Sequence, residues 1–149
     1  MAILTDQVKR QVHARFAEQL SGAVQLTLYT RPGTGRLILP TGLGCRTCDD
    51  ARQLVGDLQE AAPDLISLEV IDVSVQEAEV REVPTLTLAS PGEAPRIRWL
   101  GFPAGYEFAT VVDAVERVSS GDHGLSAATL EALGALTEPV DLMVFATPT

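Results

Sequence analysis

Between Val24 and Ser120 the hydrophobic pattern changes period again and again, and that order narrows the fold more than any other feature of the chain. Val24 to Thr30 (VQLTLYT) alternates apolar and polar residues, as a half-buried strand does. Ala51, Leu54, Val55, Leu58 and Ala62 share one face of a helix predicted from Cys45 to Ala62, and Pro63 marks its stop. Leu65 to Val73 is the next predicted strand, and Val75 to Val80 a helical turn. Thr85 to Ala89 and Arg96 to Leu100 are two further strands, joined across the turn signal Ser90-Pro91-Gly92. Phe108, Val111, Val112, Val115 and Val118 then mark a helix that ends near Ser120-Gly121. The order β–α–β–turn–β–β–α predicts an α/β domain. Its first three elements form a right-handed βαβ unit, and its last two strands a hairpin.

Two segments flank this core. Leu4, Val8, Val12, Phe16 and Leu20 recur every four positions, which predicts an N-terminal helix ended by Ser21-Gly22. Between the first strand and the first cysteine, the Arg31 to Gly44 segment is rich in Gly and Pro. It is either a long loop or a hairpin strand at Arg36–Leu39. Beyond Gly124, an Ala-rich stretch with Leu130, Leu133 and Leu136 predicts another helix, followed by Val140-Asp141-Leu142-Met143-Val144-Phe145-Ala146-Thr147-Pro148. That last run repeats the first strand: Val140 stands against Val24, Leu142 against Leu26, Val144 against Leu28, Phe145 against Tyr29 and Pro148 against Pro32. The expectation is a first unit over residues 1–121 and, over 122–149, the opening helix and strand of a second. A strand without its own sheet has three outcomes open to it: it adds to the first unit's sheet, pairs with another chain as a homodimer through the C-terminal strand, or stays exposed.

Charge excludes several functions. The 149 residues carry 20 acidic and 11 basic side chains, a formal charge of −9. Lys9 is the only lysine, and the arginines are scattered, so neither a nucleic-acid groove nor a polybasic membrane patch is expected. Asp6, Lys9, Arg10, Arg15 and Glu18 interrupt the first twenty residues, where a signal peptide needs an apolar run. No long apolar stretch predicts a transmembrane helix. The chain therefore reads as a soluble, cytoplasmic protein. In a reducing compartment a close cysteine pair serves catalysis or metal more often than structure.

That pair is Cys45-Arg46-Thr47-Cys48, at the predicted loop-to-helix junction. Residues three apart on a helix share a face, so the two thiols can reach disulfide geometry. A thiolate at a helix N-terminus is stabilised by unpaired N–H groups and the helix dipole, and Arg46 adds positive charge nearby. Cys45 is the candidate nucleophile, and Cys48, read as one turn inward, the resolving thiol. Two other readings stay open at this stage. One is a buried structural pair of cysteines, and the other a zinc site completed by His13, His123 or carboxylates.

Two further motifs carry a family resemblance. With C-x-x-C and this element order, Val83-Pro84-Thr85 resembles the thioredoxin superfamily, in which a cis-proline ahead of this strand faces the cysteines. Gly101-Phe102-Pro103-Ala104-Gly105-Tyr106-Glu107-Phe108 resembles a stretch of the glutaredoxin-like protein disulfide oxidoreductases. A related stretch occurs in the N-terminal domain of the alkyl hydroperoxide reductase flavoprotein subunit. Both families have two tandem thioredoxin-fold units, as the internal repeat also suggests. The resemblance implies a central mixed four-stranded sheet flanked by helices. It implies Cys45 and Cys48 as catalytic residues, with Arg46, Thr47, Val83, Pro84 and Thr85 contacting substrate. No cofactor is expected, and no metal, because neither His13 nor His123 stands at short spacing from another ligand. The expected partners are disulfide-containing proteins or small thiols, with a reductase or glutathione as electron donor. The sequence departs from the pattern twice. The Arg31 to Gly44 segment separates the first strand from the cysteines, and no Asp or Glu between Val24 and Gly44 supplies the buried acid of thioredoxins proper. The expected function is thiol–disulfide exchange; the alternative is a redox-inactive thioredoxin-fold binding or scaffold module.

Overall fold

Val24–Thr30 forms the strand on which the rest of the fold is built (β1), and every second residue of it is buried. Its neighbours were established from a computed structural model, which describes residues 3–32, 44–80 and 82–146. Ile66–Asp72 (β2) pairs with β1 in parallel, with Val24 opposite Ile66 and Thr30 opposite Asp72. Thr85–Ala89 (β3) runs antiparallel on the other side, with Leu26 opposite Leu88 and Tyr29 opposite Thr85. Ile97–Leu100 (β4) extends the sheet beyond β3, so the order is β2-β1-β3-β4, a mixed four-stranded sheet. The parallel pair needs a crossover, and Cys48–Ala61 (α2) supplies it.

The helices form for local reasons and hold for tertiary ones. Asp6–Gln19 (α1) starts at Thr5, whose hydroxyl accepts a hydrogen bond from the Val8 N–H. Tyr106–Ser120 (α3) ends on Gly121, which takes the left-handed conformation that glycine reaches without a Cβ clash. The core lies where these helices meet one face of the sheet. Val24, Leu26, Leu28, Leu86 and Leu88 of the strands pack with Val12 and Phe16, with Ala51, Val55 and Leu58, and with Val111, Val112 and Val115. Each of the valine, leucine and phenylalanine side chains among them contributes roughly 1.5–3 kcal/mol by leaving water.

Ser119 locks the end of α3 to the turn between α1 and β1. Its Oγ accepts from the N–H groups of Ser21 and Gly22, both at 3.0 Å, and donates to the Gly22 carbonyl at 2.6 Å. The contact leaves no room beyond Gly22, where an added Cβ would lie 2.6 Å from the Ser119 carbonyl oxygen.

Three predicted elements differ. The helix predicted from Cys45 begins at Cys48, because Thr47, at φ −117° and ψ 6°, lies outside helical conformation. Val75 to Val80 is not helical. The Val75 and Gln76 N–H groups both bond the Asp72 carbonyl to make one turn, and the chain then runs irregularly to β3. The third is the tail. Ala127–Gly134 is a helix (α4), but 140–146 forms no strand among the described residues. A strand requires a ladder partner. Here Leu142, Val144 and Phe145 stand almost fully in solvent, and α4 buries none of its residues. The candidate strand at Arg36–Leu39, Thr147, and all but the ends of the Arg31 to Gly44 segment fall outside the described residues. Among the described residues no helix is long and apolar enough to cross a membrane.

Candidate active site

The two cysteines meet at the carboxyl end of β1. Cys45 and Cys48 are joined by a disulfide, S–S 2.01 Å, with Cα atoms 5.5 Å apart. Cys48 opens α2 and is fully buried, and Cys45, three residues earlier, is 5% exposed. This corrects the placement expected from sequence. Cys48 is the first helical residue rather than one turn inward, so the free N–H groups of the first turn lie nearest Cys48. Asp49 and Asp50 also sit in that turn, the normal place for acids at a helix start. Asp49 pairs at 3.3 Å with Arg52 on the surface, a contact of little energetic weight.

The other candidates reach the same end of the sheet by topology. β3 runs against β1 with Thr85 opposite Tyr29, so Pro84, one step further, comes level with Thr30. The Val83–Pro84 peptide bond is cis. Pro84 and Thr85 are buried and Val83 is half-buried. The Thr85 hydroxyl donates to the Glu82 carbonyl at 2.8 Å, and the Pro84 carbonyl accepts from the Gly101 N–H at 2.8 Å. The Gly101 to Phe108 stretch is thereby tied to the proline. Arg46 projects into solvent and Thr47 is half-buried. His13 and His123 lie elsewhere, on α1 and on the loop after α3. Among the described residues no three His, Cys, Asp or Glu side chains gather to hold a metal.

Periodicity did not point to the peptide between Thr30 and Arg31, which is built into the site. The Arg31 N–H donates to Cys48 Sγ at 3.4 Å. Thr30 is completely buried, its carbonyl accepts from Val73 N–H at 2.9 Å, and its hydroxyl donates to the Arg31 carbonyl at 3.2 Å. Its only signal in the sequence is position: a buried threonine on the core face of β1, at the strand end nearest the motif. Beside it, Asp72 at the end of β2 has its pKa held below the usual carboxylate value. The Ser74 hydroxyl is the main cause, followed by the Ser74 N–H.

Comparison with known proteins places this geometry in company. No protein-family model and no curated protein matches the chain. Among solved structures it is similar to a protein disulfide oxidoreductase from Aeropyrum pernix. The identity is 28% and the TM-score 0.69, over 89% of this chain and 55% of that one. It is also similar to the alkylhydroperoxide reductase protein AhpF from Enterococcus faecalis, at 19% identity and TM-score 0.71, over 90% of this chain and 61% of that one. The separately solved N-terminal domain of AhpF matches at 19% identity and TM-score 0.69, over 91% of this chain and 62% of that one. The chain thus spans little more than half the length of these relatives. Its fold is thioredoxin-like, with the C-x-x-C disulfide at the strand-to-helix junction.

Proposed function

We propose that this chain is a thiol–disulfide oxidoreductase. The observation that carries the reading is the Cys45–Cys48 disulfide, which lies at the carboxyl end of β1, the end that Pro84 also reaches. In the reduced form the Cys45 thiolate attacks one sulfur of a substrate disulfide. A Cys45–substrate bond forms, and the other substrate sulfur leaves with the electron pair and takes a proton from water. The Cys48 thiolate then attacks Cys45 Sγ, the Cys45–Cys48 bond forms, and the second substrate thiolate departs. The substrate is reduced by two electrons and the cysteine pair oxidised by two, and the relative potentials set the direction. Arg46, Thr47, Val83, Pro84 and Thr85 would contact the substrate, a disulfide-containing protein or a small thiol. A reductase or glutathione would restore the dithiol, in the cytoplasm.

Residues 122–149 would open a second unit like the first, and the exposed 140–146 segment would pair with a second copy as a homodimer. The test of the main reading is insulin reduction with dithiothreitol as donor, comparing the parent with Cys45→Ser. The parent is expected to accelerate precipitation of the insulin B chain and the variant to lose that acceleration. Equal rates would sink the proposal.

One observation favours a second reading, a redox-inactive scaffold: the nucleophile is 5% exposed and its partner fully buried. Thiol alkylation of the reduced protein across pH separates the two. A Cys45 midpoint well below the free-cysteine value of about 8.5 supports exchange, and one at or above it supports the scaffold.

A further inference from the structure

The chain lacks an acid between Val24 and Gly44, yet Cys48 must become a thiolate to resolve a mixed disulfide. We infer that the backbone N–H of Arg31, at the end of β1, is the catalytic donor that stabilises the Cys48 thiolate in place of such an acid. The inference rests on the oxidoreductase reading and adds to it a group that acts on the resolving sulfur.

The geometry makes this donor rigid. The peptide unit joining Thr30 to Arg31 is planar and trans, so its carbonyl and its N–H point in opposite directions. The carbonyl is bonded to the Val73 N–H at 2.9 Å, one step past the end of the β1–β2 ladder. The N–H is therefore turned away from β2, and it meets Cys48 Sγ at 3.4 Å. On the far side of Arg31 the buried Thr30 hydroxyl holds the next carbonyl. A donor fixed in this way needs no reorganisation when charge develops on the sulfur. Its partner on Val73 polarises the same peptide and strengthens the bond.

The charged groups on the surrounding elements are Arg46 before α2, Asp49, Asp50 and Arg52 on it, the Arg31 guanidinium just past β1, Asp72 on β2 and Glu82 ahead of β3. Among the described residues no carboxylate hydrogen-bonds the sulfur, so the amide is the directed contact that favours its charge. In the resolving step the amide keeps its proton. The Cys48 thiol proton passes to water, the thiolate attacks Cys45 Sγ, and the hydrogen bond weakens as the charge moves to the departing substrate sulfur.

The test is a titration of Cys48 in full-length Cys45→Ser protein, which cannot form the disulfide. The amide proton of Arg31 is followed by NMR, and Cys48 by thiolate absorbance. The Arg31 amide signal is expected to move with the same midpoint as Cys48. Arg31→Pro removes the N–H and is expected to raise the Cys48 midpoint by about one pH unit, or about tenfold less thiolate at neutral pH. Arg31→Ala keeps the N–H and is expected to move it by less than half as much. An Arg31 amide that ignores the Cys48 titration would overturn the inference. So would a folded Arg31→Pro protein with an unmoved midpoint, or an Arg31→Ala shift as large as that of Arg31→Pro. If the proline variant does not fold, the amide titration decides alone. The measurement needs no turnover, so a chain inactive toward insulin would defeat the functional reading while the titration still gave its own answer.

Discussion

Replacing Ser119 by alanine tests whether one hydroxyl holds the turn between α1 and β1 onto the end of α3. Its Oγ makes three hydrogen bonds, two accepted from Ser21 and Gly22 and one donated to the Gly22 carbonyl, and the residue is 8% exposed. At about 1 kcal/mol net for each bond the sum is about 3 kcal/mol. The site is only partly buried, so water can replace some of what is lost, and the expected destabilisation is about 2–3 kcal/mol. That is a sizeable share of the roughly 5–15 kcal/mol by which a domain is stable. For a chain of this length it lowers Tm by about 4–12 °C. Urea unfolding and thermal melts followed by circular dichroism measure it, with the disulfide kept intact in both proteins. Ser120→Ala is the control, because Ser120 is exposed and makes only long local bonds, at 3.2 and 3.5 Å. The reasoning fails if Ser119→Ala stays within about 0.5 kcal/mol of the parent at an unchanged urea slope.

Three further outcomes follow from the same geometry. The Asp57 hydrogen bond, at 2.6 Å, holds the Lys9 pKa above its ordinary value. Its stabilisation should be fully present below the ordinary lysine value and vanish as pH rises through the raised one. The stability gap between parent and Lys9→Met should therefore be flat from pH 7 to 9 and close in strong alkali, and a gap that widens there contradicts the assignment. Asp72 is depressed mainly by the Ser74 hydroxyl, so its contribution is present above the ordinary carboxylate value and lost as pH falls through the depressed one. Ser74→Ala should move the Asp72 carboxyl signal upward in an NMR titration, and an unmoved midpoint rejects the cause. Truncation before Leu125 should leave Tm within about 2 °C, because α4 buries none of its residues. A fall of more than about 5 °C would mean that the tail supports the rest of the fold after all.

Much of the fold was legible because it rests on short-range periodicity. The alternation of VQLTLYT became β1 with its four odd members buried, and the Val111, Val112 and Val115 stripe became the buried face of α3. The tail shows where that kind of signal stops. Val140 to Ala146 has the same alternation as β1, yet no ladder forms there, since a pattern supplies a strand's faces but not its neighbour. The start of α2 was misplaced by three residues for a related reason. The helical stripe begins with Ala51, and nothing in it specifies whether the motif's first cysteine lies inside the helix.

By itself, then, the sequence determined the order of elements, the apolar faces and which two cysteines pair. Each of these depends on residues a few positions apart. Tertiary structure decided what surrounds that pair. Bringing Cys48 against the Arg31 amide joins groups 17 positions apart, and the Ser119 lock joins groups 97 and 98 apart. Both are hydrogen bonds that employ backbone groups, which every residue but proline carries in the same form. A side-chain code therefore cannot mark which N–H will face the sulfur. Only the ladder that fixes the Thr30 carbonyl on Val73 makes that choice.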